Sequence, residues 1–339
     1  MSGENGKIFN RRDFIRGSII GLASLPALKI ASLPLTAQNS GRKAKLALVK
    51  TGDRKAGVAE LIKLMNVPPM KGKNVFVKPN FNTSDTFPGS THNDTLTQLI
   101  IEIQAREAGK ITVGDRSGPE PTKEVLQKKG IFDLSSDLGF NVVNFSELAE
   151  KDWVQVKKEG FHWKDGFSVP RSFIASDYIV STCCLKTHGF GGIFTLSLKL
   201  SVGVTPKSLM RELHGMRQTH MRRMIAEINT SYSPQLVVLD GVEAFVDGGP
   251  MEGTKKTAEV MIAGTDRVAL DAAGLAVLKH LGSNEAIMNT KIFEQEQILR
   301  AVELGLGVSS PEKIEFLTSD PESQAYASDL QALMTGELR

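Results

Sequence analysis

Cysteine is nearly missing from this chain. Two occur in 339 residues, and they are neighbours, Cys183 and Cys184. A bridge between adjacent cysteines closes only a strained ring, far from the usual disulfide separation. No disulfide framework can therefore support the fold, and a four-cysteine cluster cannot come from this chain alone. The pair reads most simply as two small apolar residues at a strand end; redox chemistry or metal ligation is the alternative. Several nucleotide and hydrolase signatures are also missing: a Walker loop, a G-x-G-x-x-G after a strand, a G-x-S-x-G elbow and an H-E-x-x-H helix. The stretch "GFGGIF" (189–194) does not fit the dinucleotide fingerprint. Low-complexity tracts and internal repeats are lacking as well. Even the net charge of +3 is local. Residues 1–37 hold five basic and two acidic side chains, and the rest of the chain holds 36 of each sign. A neutral body lacks the basic surface that phosphate backbones require, which argues against nucleic acid as a partner.

What is present begins at the N-terminus. "NRRDFIRG" precedes the short apolar run "SIIGLASLPAL", with Lys29 beyond it. Arg11-Arg12 followed by Phe14 and a moderately apolar core resembles a twin-arginine export signal over 1–37. An amphipathic N-terminal helix is the alternative. The apolar run is roughly half the ~20 residues needed to span a bilayer. Ala37 could end the signal, but Leu35 is not the small residue expected before a cleavage site, so a retained anchor is the other outcome. The signal implies the twin-arginine export machinery as a partner and a periplasmic or otherwise exported location.

A polar linker (38–44) leads into the body at 45–339. Short β-branched runs there alternate with amphipathic stretches. Strands are predicted at 45–50, 74–79, 110–115, 140–145, 177–183, 235–241, 258–264 and 313–318, mostly as continuous apolar runs. Helices are predicted over 93–108, 122–130, 218–230, 267–281 and 291–305; Asn93 or Asp94 would cap the first, and Glu102 would pair with Arg106. The alternation predicts an α/β fold, a mostly parallel, Rossmann-like sheet with helices on both faces. The alternating "VQVKKEGFHW" predicts a small antiparallel insertion near 151–170. A split near 165–175 would give two α/β halves.

Ligands of open α/β sheets bind beyond the carboxyl ends of the strands. Five predicted strands end in polar groups: Lys78, Asn80 and Asn82; Asp115, Arg116 and Ser117; Lys186 and His188; Asp240, Glu243 and a glycine-rich turn; Asp266 and Asp271. In a parallel sheet these converge on one cleft. Each also has a plainer role, Asp266 as a helix cap and His188 as a hydrogen-bonded loop histidine among them. Lys78 and Lys186 suit a carboxylate or phosphate. Backbone N–H groups of "HGFGG" and "DGGPMEG", through Gly249 and Gly253, could form an anion nest. Asp115, His188 and Asp240 offer oxygen and nitrogen donors to a divalent metal; the sequence does not name the cofactor. Lysine beside acidic groups also permits proton transfer. The basic stretch 207–224, with His214, Arg217, His220, Arg222 and Arg223, is either a solvated surface or a lip that draws an anion inward.

The motifs "VFVKPNF", "GDRSG…T", "LKTHGFGGIFTLSLK", "RQTH", "LVVLDGVEAFVDGGPMEG" and "IAGTDRVALD" together resemble the domain of unknown function 362 family, in that family's order, over roughly 74–275. The resemblance marks Lys78, Pro79, Asn80, Asp115, Lys186, His188, Lys199, His220, Asp240, Gly241, Gly249, Pro250, Gly253, Asp266 and Asp271. Many relatives carry ferredoxin-like iron–sulfur segments; this chain lacks their cysteines, so no cluster is expected from it. Cys183-Cys184 stand where a proline-containing lead is usual, and Leu200 follows Lys199 where asparagine is common. The leading expectation is an exported enzyme acting on a small anionic molecule. Lys186, His188 and Asp115 would be catalytic. Lys78, Asn80, Lys199, His220, Gly249, Gly253 and Asp266 would bind the ligand. The rival expectation is a non-catalytic binding or accessory protein for a redox or cofactor-containing partner.

Overall fold

The computed structural model describes residues 43–215 and 219–338. The predicted signal over 1–37, most of the linker and Arg217 lie outside the described residues. The described residues fall in one compact unit. Its strands are β1 (Ala44–Lys50), β2 (Asn74–Lys78), β3 (Lys110–Asp115), β4 (Asn141–Asn144), β5 (Trp153–Val156), β6 (Phe167–Pro170), β7 (Tyr178–His188), β8 (Ile193–Thr195), β9 (Leu236–Gly248), β10 (Gly253–Gly264) and β11 (Ile314–Leu317). Nine of them form one sheet in the order β11-β1-β10-β9-β7-β2-β3-β4, with β8 added to β7. The fold is thus α/β, with a mostly parallel sheet. Strands β5 and β6 pair antiparallel, Trp153 opposite Pro170, as the insertion near 151–170. The main sheet continues through the proposed split at 165–175, because β7 sits between β2 and β9.

Alternation along the strands feeds two apolar layers. Leu46 and Leu48 of β1 pack on one face with the helices Arg267–His280, Glu296–Glu303 and Pro321–Thr335. Ala47 and Val49 pack on the other with Arg54–Leu64, Asn93–Gln104 and Thr122–Lys128. Both faces are covered, which is why these strands read as unbroken apolar runs. Among the described residues, three helices of eight residues or more, 54–64, 131–138 and 321–335, went unpredicted; the first starts at Asp53, whose carboxylate accepts from Lys55 and Ala56 N–H. His92, rather than Asn93 or Asp94, caps Asn93–Gln104, its Nδ1 accepting from Asp94 N at 3.1 Å. Burial and neighbouring Arg54 lower the His92 pKa, which favours the neutral ring this bond requires. Arg106 pairs with Glu102 at 2.8 Å, one helical turn away. Among the described residues, no helix is long and apolar enough to cross a membrane.

One direction in the sheet overturns an expectation. Strand β10 runs antiparallel to both β9 and β1. It begins at the edge where β2, β3 and β7 end, and it finishes at the opposite edge. Asp266 follows its last residue, so Asp266 lies away from those three carboxyl ends. There it caps the helix Arg267–His280, accepting from Ala269 N at 2.9 Å and from Val308 N at 2.8 Å. Of the five strands expected to supply the site, four therefore point their ends the same way.

Candidate functional site

The carboxyl ends of β2, β3 and β7 open on a cavity of about 490 Å³. The turn at Lys199–Val204 and the β9–β10 connection at Pro250 and Met251 complete its wall. Lys78 and Asp115 meet at the end of β2 and β3, Nζ to Oδ1 at 2.7 Å. Asp115 also accepts the backbone N–H of Phe81 and Arg116, both at 2.6 Å, and Lys78 donates to Pro79 O at 2.7 Å. Burial pushes the Asp115 carboxyl up and the Lys78 ammonium down, while their mutual attraction opposes both shifts.

Arg116 is a fastener. Its guanidinium donates to the carbonyls of Thr205 (2.6 Å), Ser117 (2.8 Å) and Val202 (2.8 Å), tying the end of β3 to the 199–205 turn. Asp271, deep in the helix Arg267–His280, holds the start of that turn by accepting from Ser197 N at 2.7 Å and Leu198 N at 3.1 Å. Burial pushes its carboxyl up to about 7 against those bonds. Asn229 adds a bond from Nδ2 to Leu198 O at 2.9 Å.

The fixed turn places Lys199 in the cavity wall. Its Nζ makes no hydrogen bond or ion pair among the described residues, although the side chain is buried. Burial, then the nearby Lys186 and Arg116 charges, lower it to about 7. Lys186, fully buried, donates to Gly89 O at 2.6 Å and Pro250 O at 3.0 Å. An ammonium has three donors, so one remains; burial lowers this group to about 8. His188 ends β7 at 7% exposure. Burial, reinforced by Lys199 and Lys186, lowers its pKa and keeps the ring neutral. Three buried lining atoms have no partner among the described residues: Asn80 Oδ1, His188 Nδ1 and Thr195 Oγ1. Leu200, Val202 and Met210 supply an apolar wall, and Phe190, 55% exposed, stands beside His188 at the rim.

Six of the residues expected to be catalytic, ligand-binding or metal-binding thus come together: Lys78, Asn80, Asp115, Lys186, His188 and Lys199. Others do not. Asp240 lies mid-strand in β9, where Oδ2 accepts from Arg54 Nε at 2.9 Å and Thr95 Oγ1 at 2.6 Å, beside the helices 54–64 and 93–104. The expected metal set of Asp115, His188 and Asp240 is therefore not assembled, and Asp115 is already neutralised by Lys78. Among the described residues, no three His, Cys, Asp or Glu side chains group as metal ligands. His220 is exposed and lies tilted against His162, ring centres 4.7 Å apart. Gly249 and Gly253 belong to the β9–β10 hairpin turn. Gly249 donates its N–H to Glu252 O, and Gly189 donates to Gly249 O at 3.1 Å, so these groups close the loops rather than face an anion. The left-handed φ of +71° at Gly249 and its contact with Thr187 O leave no room for a side chain.

The "HGFGG" stretch is the tight turn of the β7–β8 hairpin. Cys183 and Cys184 are buried in β7, and burial raises both thiols, Cys184 to about 11. Neither is a thiolate at neutral pH, the form that redox chemistry and metal ligation require.

Thr195 and Gly203 went unpredicted, since β8 is three residues long and the 199–204 turn has no periodic signature. Gly203 packs against the ion pair: an added Cβ would press on Asp115 Oδ1 and lie 2.8 Å from Lys78 Nζ. Gly203→Ala should therefore cost about 1–3 kcal/mol by overpacking, read by urea denaturation; an unchanged midpoint would contradict the tight seat.

The family described as Domain of unknown function (DUF362) matches residues 75–276, from β2 into the helix Arg267–His280. The chain belongs to that family. Every cavity residue named above falls inside the matched segment of this DUF362 chain. A curated relative, "Thylakoid-associated protein sll1697" of Synechocystis sp. (strain ATCC 27184 / PCC 6803 / Kazusa), is 23% identical over 210 residues, covering 59% of this chain and 61% of that protein. This chain thus spans less than two thirds of that relative. Among solved structures, the lactate racemase apoprotein from Thermoanaerobacterium thermosaccharolyticum is similar over 84% of this chain and 85% of its own, with 11% identity and a TM-score of 0.42.

Proposed function

We propose that this DUF362 protein is an enzyme that binds a small organic anion in the cavity at the ends of β2, β3 and β7. One observation carries the reading: two buried ammonium groups without carboxylate partners and three unpartnered polar atoms line the same cavity. An unpartnered buried polar atom costs about 1–3 kcal/mol, so such a set is favoured only when something completes it. Asp115 is the one carboxylate among the described lining residues, and Lys78 balances it. The surplus at Lys186 and Lys199 is positive. A carboxylate or phosphate would meet Lys186 and Lys199, with Asn80 and Thr195 completing its hydrogen bonds. The apolar wall at Leu200, Val202 and Met210 suits a ligand with a hydrocarbon part, and a volume near 490 Å³ lies in the range of small-molecule sites. The chemistry within reach is proton transfer by neutral His188 and by an amine whose lowered pKa lies near the working pH.

The test is a thermal-shift screen of small carboxylates and phosphates, followed by calorimetry. Lys186→Met should weaken binding about 10–100-fold, since a charge-assisted hydrogen bond is worth about 1.5–3 kcal/mol. His188→Ala should leave binding largely intact and abolish turnover of the ligand found. Unchanged affinity in Lys186→Met would reject the assignment. Export through the twin-arginine pathway is proposed on Arg11-Arg12 and the apolar run behind them; Arg11→Lys/Arg12→Lys should retain the protein in the cytoplasm.

A further inference from the structure

We propose that Lys199 is a nucleophile that forms an imine with the carbonyl carbon of a small oxo acid held in this cavity. The inference rests on the anion-binding reading above and narrows it to carbonyl-bearing carboxylates. The three cavity lysines differ in what holds them. Lys78 is locked to Asp115 at 2.7 Å, which keeps it an ammonium. Lys186 is aimed by two carbonyls, which accept from its protons and favour the ammonium form, which has no lone pair to attack with. Lys199 alone of the three makes no such bond among the described residues. It is buried, lies beside apolar Leu200 and Val202, and has neighbouring cations that disfavour its charge. These are the conditions that activate a lysine amine: desolvation and a cationic neighbour. Its lowering to about 7 leaves much of it as free amine near neutrality.

The other parts of the reaction are at hand. Gly192 lets Lys199 and His188 approach each other, since a Cβ there would press on both, 2.7 Å from Lys199 Cε and 2.9 Å from His188 Nδ1. The unpartnered His188 Nδ1 therefore lies near the Lys199 side chain and can carry protons. Lys186, with one donor to spare, anchors the carboxylate. The Lys199 nitrogen lone pair attacks the carbonyl carbon, and a C–N bond forms as the C=O π pair takes a proton. The resulting carbinolamine loses its hydroxyl as water, with His188 relaying the protons. In sum, an ammonium and a ketone give a protonated imine and one water, and no oxidant or reductant is consumed.

The experiment uses 4-methyl-2-oxopentanoate and its carbonyl-free analogue 4-methylpentanoate, whose tails match the apolar wall. The protein is incubated with each in the presence of sodium cyanoborohydride, and labelled lysines are mapped by mass spectrometry. The expected result is reduced adduct at Lys199, formed at least about tenfold faster than at exposed Lys291. Lys199→Met should remove the adduct, and Lys199→Arg, which keeps the cation but not the nucleophilic amine, should form none either. If both acids bind but Lys199 is labelled no faster than Lys291, the imine assignment falls and the anion site stands. Faster labelling at Lys186 than at Lys199 would also overturn it. If neither acid binds, both readings fall for this class of ligand.

Discussion

Asp115→Ala is expected to lower the unfolding free energy by about 3–5 kcal/mol, because it leaves a buried cation without its counter-charge. Lys78 is 1% exposed, and Pro79 O is its other partner. The substitution also strips acceptors from the N–H groups of Phe81 and Arg116. Lys78 can respond by shedding its proton. An unfolded lysine titrates near 10.5, and one pH unit is worth 1.36 kcal/mol, so the loss of that proton at pH 7 sets a ceiling of about 5 kcal/mol on the charge component. The deficit should therefore shrink as pH rises toward 10. The double variant Lys78→Met/Asp115→Asn should recover most of the loss, since it removes the buried charge and keeps an acceptor for one backbone N–H. Urea denaturation at pH 7 and pH 9 measures all three proteins. A loss below about 1 kcal/mol for Asp115→Ala would show that the pair contributes little.

The second large effect is an opposition between ligand affinity and stability as pH rises. Lys186 titrates near 8 and Lys199 near 7 in the folded protein, both lowered chiefly by burial, against 10.5 for the model amine. The unfolded chain therefore binds more protons than the folded one between those values. Stability of the free protein must rise with pH across that interval. The cleanest window is about pH 7.5–8.5, above the Asp271 carboxyl near 7 and below the ordinary thiol midpoint of 9.0. Binding of 4-methylpentanoate should move the other way. Each amine that must take up a proton costs up to tenfold in affinity per pH unit above its pKa; between pH 7 and 9 this is about tenfold for Lys186 and about 50-fold for Lys199, about 500-fold together. Lys199→Met should reduce both slopes by removing one proton from each linkage. Calorimetry and denaturation on the same samples test the pair of trends, and affinity that stays flat over this window would exclude the lysines as the ligand's counter-ions.

The site was legible in part. Lys78, Asp115, Lys186 and His188 each stand at or next to the end of an apolar run, and three of those runs became parallel neighbours in the sheet. Lys199 was marked by family resemblance alone, since nothing local distinguishes a lysine inside "LSLKLSVGV". Its role depends on Arg116 and Asp271, residues distant in the chain that hold the turn in place. Asp240 carried the opposite lesson. It closes an apolar run as convincingly as Asp115 does, yet β9 continues eight residues further, so that the carboxylate lies mid-strand among Arg54 and Thr95.

By itself the sequence determined the alternation of strands and helices, the neutral body, the lack of a disulfide framework and the set of polar groups available to a site. These follow from local periodicity, turn chemistry and composition. Only the tertiary structure decided that β10 runs backwards, which sends Asp266 to the far edge. It also decided that Asp115 holds Lys78 as an ammonium while Lys199 has no counter-charge among the described residues. Strand direction and partner choice depend on contacts between residues remote in the chain, and no local pattern encodes them.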